Sequence, residues 1–123
     1  MNWTEELPES CPPKEAFEPD DKVVYRLSAS GQSIEDEYQS QRSICPKCTF
    51  KNVTECLTRS LSVYDDLAKC QQLQKLPRFK DRWNAILELK LNSNDGMIQQ
   101  TFKNNHFSWW RTTEFDLTSA KVV

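Results

Sequence analysis

Residues 45–56 read CPKCTFKNVTEC, three cysteines of which the first two stand two residues apart. Tetrahedral zinc takes four thiolate or imidazole ligands, and a Cys-x-x-Cys pair sets two of them at the separation one ion needs. Cys45 and Cys48 supply that pair, Cys56 a third ligand, and the fourth falls to Cys70, Cys11 or His106. Without metal the same stretch is a thiol-bearing loop, or a redox pair at Cys45 and Cys48, although no helix start follows the motif to depress a thiol pKa. The opening MNWTEELPES has neither the basic nor the apolar region of a secretory leader, so the expected location is the cytoplasm. In that reducing compartment the five cysteines are expected as free thiols or metal ligands, and the sequons at Asn2 and Asn52 carry no meaning.

His106, in HFSWW, is the single histidine and hence the one side chain whose ordinary pKa suits acid/base work near neutrality. A lone histidine among aromatics is more often packed than catalytic. Trp109 and Trp110 must point to opposite faces of a strand, which places one indole in the core and turns the other outward as a binding anchor, unless a second layer covers it. KLPRFKDRW at 75–83 interleaves Lys75, Arg78, Lys80 and Arg82 with Phe79 and Trp83, the mixture that single-stranded nucleic acids meet through phosphate and stacking contacts. A sequence pI near 5.4 and Asp81 inside the segment favour a solvated loop instead. There is no glycine-rich phosphate loop, no HExxH and no paired-carboxylate motif, which sets those enzyme classes aside.

CPKCTFKN resembles the opening half of the RanBP2-type zinc finger, with Cys45, Cys48 and Asn52 at the matching positions. Cys56 arrives too early for that family's second Cys-x-x-Cys, and Leu57-Thr58-Arg59 holds no fourth cysteine, so its single-stranded-RNA and ubiquitin binding is not carried over. The order of Arg26 in YRL, Ser60 and Ser62 in SLS, and Glu114 in TTEF is similar to the ADP-ribosyltransferases of the Arg-Ser-Glu type. That resemblance implies NAD as the cofactor, with Arg26 gripping it, the serines orienting the site and Glu114 stabilising an oxocarbenium ion. Thr112 stands where that family has a second carboxylate or a glutamine. Over 22–117 the RSLSV and HxxWW segments look like those of a group of small bacterial proteins without an assigned activity.

These residues need elements to hold them. KVVYRLS at 22–28 is β-branched and aromatic, a first strand that ends near Ser30-Gly31. RSLSVY at 59–64 is a second, and Asp65-Asp66 then caps a helix over about 66–76 whose Leu67, Cys70, Leu73 and Leu76 share a side before Pro77 ends it. Alternation of Ala85, Leu87, Leu89 and Leu91 marks a half-buried strand at 84–91, and the Asp-Gly of SNDG predicts a hairpin across 84–101. HFSWWRT at 106–112 is the last strand, with Phe107, Trp109 and Arg111 opposite His106, Ser108 and Trp110. Ser33 ahead of Glu35, Asp36 and Glu37 suggests a further helix start. The expected fold is α+β: about five short, largely antiparallel strands with one helix packed on them.

At 123 residues one domain is expected, at 22–123, preceded by an acidic proline-containing arm at 1–21. Seven acidic groups and one lysine lie in the arm, leaving fifteen basic against eleven acidic groups, a net +4, in the remainder. The arm is read as a solvated, extended entry or as a guard folded over a basic groove. No apolar run is long enough to span a bilayer. The residues favour a small binding or regulatory protein whose contact face comprises Arg78, Phe79, Arg82, Trp83, His106 and the outward indole of Trp109 or Trp110. A protein is the expected partner, single-stranded nucleic acid the next, with no membrane partner; no cofactor is expected, and zinc at Cys45, Cys48, Cys56 and Cys70 belongs to a second alternative, a zinc-stabilised nucleic-acid-binding module. The alternative is nucleotide-using catalysis by Arg26, Ser62, His106 and Glu114, which requires those four to converge.

Overall fold

A computed structural model describes every residue except Lys80, so Lys80 of the 75–83 segment lies outside the described residues. The leucine alternation forms β3 (Ala85–Leu91), which pairs antiparallel with β1 (Lys22–Ser28) along its whole length. Val24 stands opposite Leu89 and Lys22 opposite Leu91, so the period of two puts Val24, Leu87, Leu89 and Leu91 on one face. β2 (Leu61–Tyr64) and β5 (His106–Arg111) extend that face, with Leu61 opposite Trp109 and Val63 opposite Phe107. β4 (Gly96–Gln100) adds Ile98 opposite Trp109, and Tyr38 and Phe115 close over the cluster from outside the strands. Trp109 meets both edge-on, at 6.3 Å and 5.0 Å between ring centroids.

Among the described residues the six strands run in the order β4-β5-β2-β1-β3-β6, every pairing antiparallel, with β6 (Lys121–Val122) along β3. The architecture is α+β. All five expected strands form, and β6 is the addition; two exposed residues carry no periodic signal. The opposite sheet face is covered by α3 (Leu67–Gln74), which buries Cys70 and Leu73 and is capped by Asp66, whose carboxylate accepts from Ala68 N at 3.0 Å. Two single-turn helices precede it, α1 (Gln41–Ile44) and α2 (Glu55–Thr58), capped by Ser40 and Thr54. The expected helix after Ser33 is one 3-10 turn at Glu35–Glu37 without a side-chain cap, since a segment lacking an apolar stripe has nothing to bury along further turns.

The hairpin expected over 84–101 does not form. β3 and β4 are separated in the sheet by β1, β2 and β5. Asn92 to Asp95 instead make a tight 3-10 turn in which the Asp95 carboxylate accepts from Asn92 N at 2.8 Å and the Trp109 indole donates to Asp95 O at 3.0 Å. Five residue steps reach at most about 17 Å, whereas four interstrand spacings across a flat sheet come to about 19 Å. The sheet must therefore curl until β4 approaches the end of β3, and the aromatic cluster fills the concave side.

The arm lies against this body. Phe17 and Ile98 exchange backbone hydrogen bonds at 2.9 Å along the β4 edge, Trp3 bridges to Thr112, and Cys11 is bonded to Cys56 of α2.

Candidate functional site

β1 and β2 pair through one residue pair, Tyr25 opposite Tyr64. Beyond it Arg26 fills the gap between the strands: its Nη1 donates to Ser62 O at 2.8 Å and its Nε to Glu37 O at 3.0 Å, with the guanidinium 5.9 Å from the Tyr38 ring centre. Burial pulls the Arg26 pKa down to about 10, which leaves the side chain cationic at neutral pH. A cavity of about 250 Å³ opens at this point, bordered by Arg26, Ser62, Tyr64, Phe79, Arg82 and Trp83. A second, of about 170 Å³, adjoins it and shares Arg26, Gln41, Ser62, Arg82 and Trp83.

The chain after α3 delivers the outer wall. Pro77–Phe79 form a 3-10 turn, Arg82 N donates to Phe79 O at 3.0 Å, and Gln74 of α3 donates to Trp83 O at 3.2 Å. Arg82 stacks over the Trp83 ring at 4.8 Å, so a cation and an indole present themselves together. Arg78 lies 4.9 Å over Phe79 and is exposed, outside the cavity wall.

Ser62 is exposed on the inner wall, and its hydroxyl lies 3.0 Å from His106 Nε2. His106 Nδ1 lies 3.0 Å from Thr101 O and 3.1 Å from Thr101 Oγ1. A carbonyl only accepts, so this contact puts the imidazole proton on Nδ1 and leaves Nε2 to accept from Ser62. Tyr64 and Phe102 grip the ring edge-on at 5.2 Å and 5.4 Å. Burial, more than any neighbouring group, holds the His106 pKa below its ordinary value, so the ring is neutral near pH 7.

Comparison of the chain with family models, with curated proteins and with solved structures gives no match.

Of the residues expected to act together, Arg26, Ser62 and His106 converge, joined by Phe79, Arg82 and Trp83 from the binding face. Glu114 does not join them. It borders a separate cavity of about 500 Å³ beside β3, where Glu88, Asp95 and Asp116 are interspersed with Lys90 and Lys121. Neither indole of the Trp109-Trp110 pair is an anchor: they are 0% and 1% exposed, and the outer face of Trp110 is covered by α2, where its Nε1 donates to Cys56 O at 2.9 Å. Tyr64 and Gln41 were not singled out from the sequence. Tyr64 carried a signal, because it stands two residues from Ser62 on the same strand face; Gln41 carried none.

The cysteines depart furthest from expectation. Cys45 is bonded to Cys48 and Cys56 to Cys11, while Cys70, on the buried side of α3, is free with its thiol pushed up to about 12 by burial. The four expected ligands Cys45, Cys48, Cys56 and Cys70 are thus not gathered: a disulfide sulfur offers no thiolate. Among the described residues no three His, Cys, Asp or Glu side chains are placed to hold a metal ion. Arg42 organises the CPKC loop in metal's stead, donating to Pro46 O at 3.0 Å and Cys48 O at 2.8 Å while pairing with Glu55 at 2.9 Å.

Proposed function

We propose that the protein is a binding protein whose cleft between β1 and β2 receives an anionic group presented by a protein partner. The observation that carries this reading is the placing of two arginines, Arg26 and Arg82, with Trp83 around one cavity. Arg26 is held by two carbonyls and needs no reorganisation to meet a carboxylate, and Arg82 with Trp83 supplies the stacked cation and aromatic pair typical of binding hot spots. With the adjoining cavity of about 170 Å³ beside its own 250 Å³, the cleft admits an acidic side chain or chain terminus together with a neighbouring residue. No helix among the described residues is long and apolar enough to cross a membrane, and the two disulfides favour surroundings that keep thiols oxidised over the reducing cytoplasm.

Calorimetric titration with a short peptide containing glutamate next to phenylalanine tests the reading, with the lysine counterpart as control. The glutamate peptide binds, the lysine peptide does not, and Arg82→Ala or Trp83→Ala each weakens binding about tenfold or more. Equal heats from both peptides would remove the anion-recognition reading.

A further inference from the structure

We infer that Ser62 is a nucleophile and His106 its general base, and that the cleft transfers or hydrolyses the acyl group of a short ester carrying a carboxylate. The inference rests on the anion-binding reading for the choice of substrate and on separate observations for the chemistry. Three requirements for an activated serine meet at one point. The nucleophile is exposed on a cavity wall, with its hydroxyl 3.0 Å from an unprotonated imidazole nitrogen. The base is oriented from behind, since Nδ1 is anchored to Thr101 O at 3.0 Å and the ring is clamped between Tyr64 and Phe102. A fixed cation borders the same cavity, because Arg26 Nη1 is bonded to the backbone carbonyl of Ser62.

His106 is 7% exposed and does not border the cavity, so it reaches substrate only through Ser62. In the first half-reaction the Ser62 hydroxyl oxygen attacks the ester carbonyl and its proton passes to His106 Nε2. The ester C–O bond then breaks, and the departing alkoxide takes a proton from cavity water, leaving hydroxide. In the second half that hydroxide attacks the acyl-serine, and the imidazolium returns its proton to the Ser62 oxygen as the acyl C–O bond breaks, releasing the acid and restoring the serine. Arg26 borders the same cavity and supplies positive charge to it, and Arg82 holds the carboxylate at the far end of the acyl chain, which limits the acyl group to a length the cavity admits.

A fluorophosphonate probe tests the nucleophile directly, because the Ser62 oxygen forms a bond to phosphorus as fluoride leaves. Intact mass and peptide mapping are expected to show one label at Ser62, none in Ser62→Ala, and labelling slowed about a hundredfold or more in His106→Gln. The wild-type labelling rate should rise with pH and level off below the ordinary histidine pKa. That profile decides the matter should His106→Gln fail to fold. Hydrolysis of the mono-p-nitrophenyl ester of glutaric acid should exceed that of p-nitrophenyl butyrate, and Arg82→Ala should abolish the difference. No label, a label away from Ser62, or a rate without that pH dependence would overturn the nucleophile while leaving peptide binding intact. A label at Ser62 with no preference for the anionic ester would keep the nucleophile and remove the substrate assignment.

Discussion

Arg26 satisfies two backbone carbonyls, that of Ser62 where β1 and β2 part and that of Glu37 in the 3-10 turn, and it brings a positive charge to the cleft. Arg26→Ala orphans both acceptors, and thermal or urea denaturation should register a loss of about 1–3 kcal/mol. Arg26→Lys keeps the charge but cannot reach both carbonyls with one ammonium, so it should recover only part of that loss. His106 makes a second prediction at this scale. Its folded pKa lies below the unfolded value of about 6.5, so the unfolded chain binds more protons between the two. The stability contributed by the neutral ring is fully present above the unfolded pKa and is lost as pH falls through the folded one. Histidine ring NMR over that range should show the Nδ1–H tautomer and a midpoint below 6.5, with stability declining as pH falls from 6.5 through that midpoint; a midpoint at or above 6.5 contradicts the burial argument.

Among the elements, the strands were legible because alternation is a local property: Leu87, Leu89 and Leu91 announce a face wherever their strand is placed. Partnership is not local. The Asp95-Gly96 pair signals a tight reversal, and a tight reversal is present, but it joins strands on different parts of a curled sheet, because the Trp109 indole holds Asp95 O and the Gly96 backbone packs on the next strand. A Cβ added at Gly96 would lie 2.0 Å from Trp110 O, at a backbone φ of +137° that side chains disfavour. Gly96→Ala should therefore unfold at markedly lower denaturant than Ser93→Ala in the same turn, which is exposed. Trp109→Ala, which removes the wholly buried indole of the central cluster, should cost about 3–5 kcal/mol in equilibrium unfolding. The same pair shows why an outward tryptophan was expected: alternation correctly divides the indoles between two faces, yet it cannot register that a four-residue helix lies over the second.

For the whole molecule the arm and the disulfides decide how the fold is held together. Cys11–Cys56 spans 45 residues and Cys45–Cys48 only 3, so the loop-entropy relation assigns about 4 kcal/mol to the first and about 2 kcal/mol to the second. Peptide mapping of unreduced protein should recover both pairs. Cys11→Ser with Cys56→Ser should lower the melting temperature more than Cys45→Ser with Cys48→Ser, and free the arm to proteolysis. Their pairing was hidden in the sequence because a Cys-x-x-Cys suits zinc, a redox pair and a short disulfide equally; only the distances between distant segments separate them. The cleft was half visible for the same reason. Arg26, Ser62, His106, Arg82 and Trp83 each stood out by type, but their meeting depends on where β2 lies between β1 and β5, and Glu114, chosen on sequence order alone, falls beside a different cavity. One cleft, bounded by Arg26, Ser62, Arg82 and Trp83, is proposed as the place where this protein meets its ligand. Amide NMR during titration with the glutamate-phenylalanine peptide should show shifts concentrated at Arg26, Ser62, Tyr64, Phe79, Arg82 and Trp83 and none around Glu88 and Glu114; shifts clustered around Glu114 instead, or none at millimolar peptide, would contradict that placement.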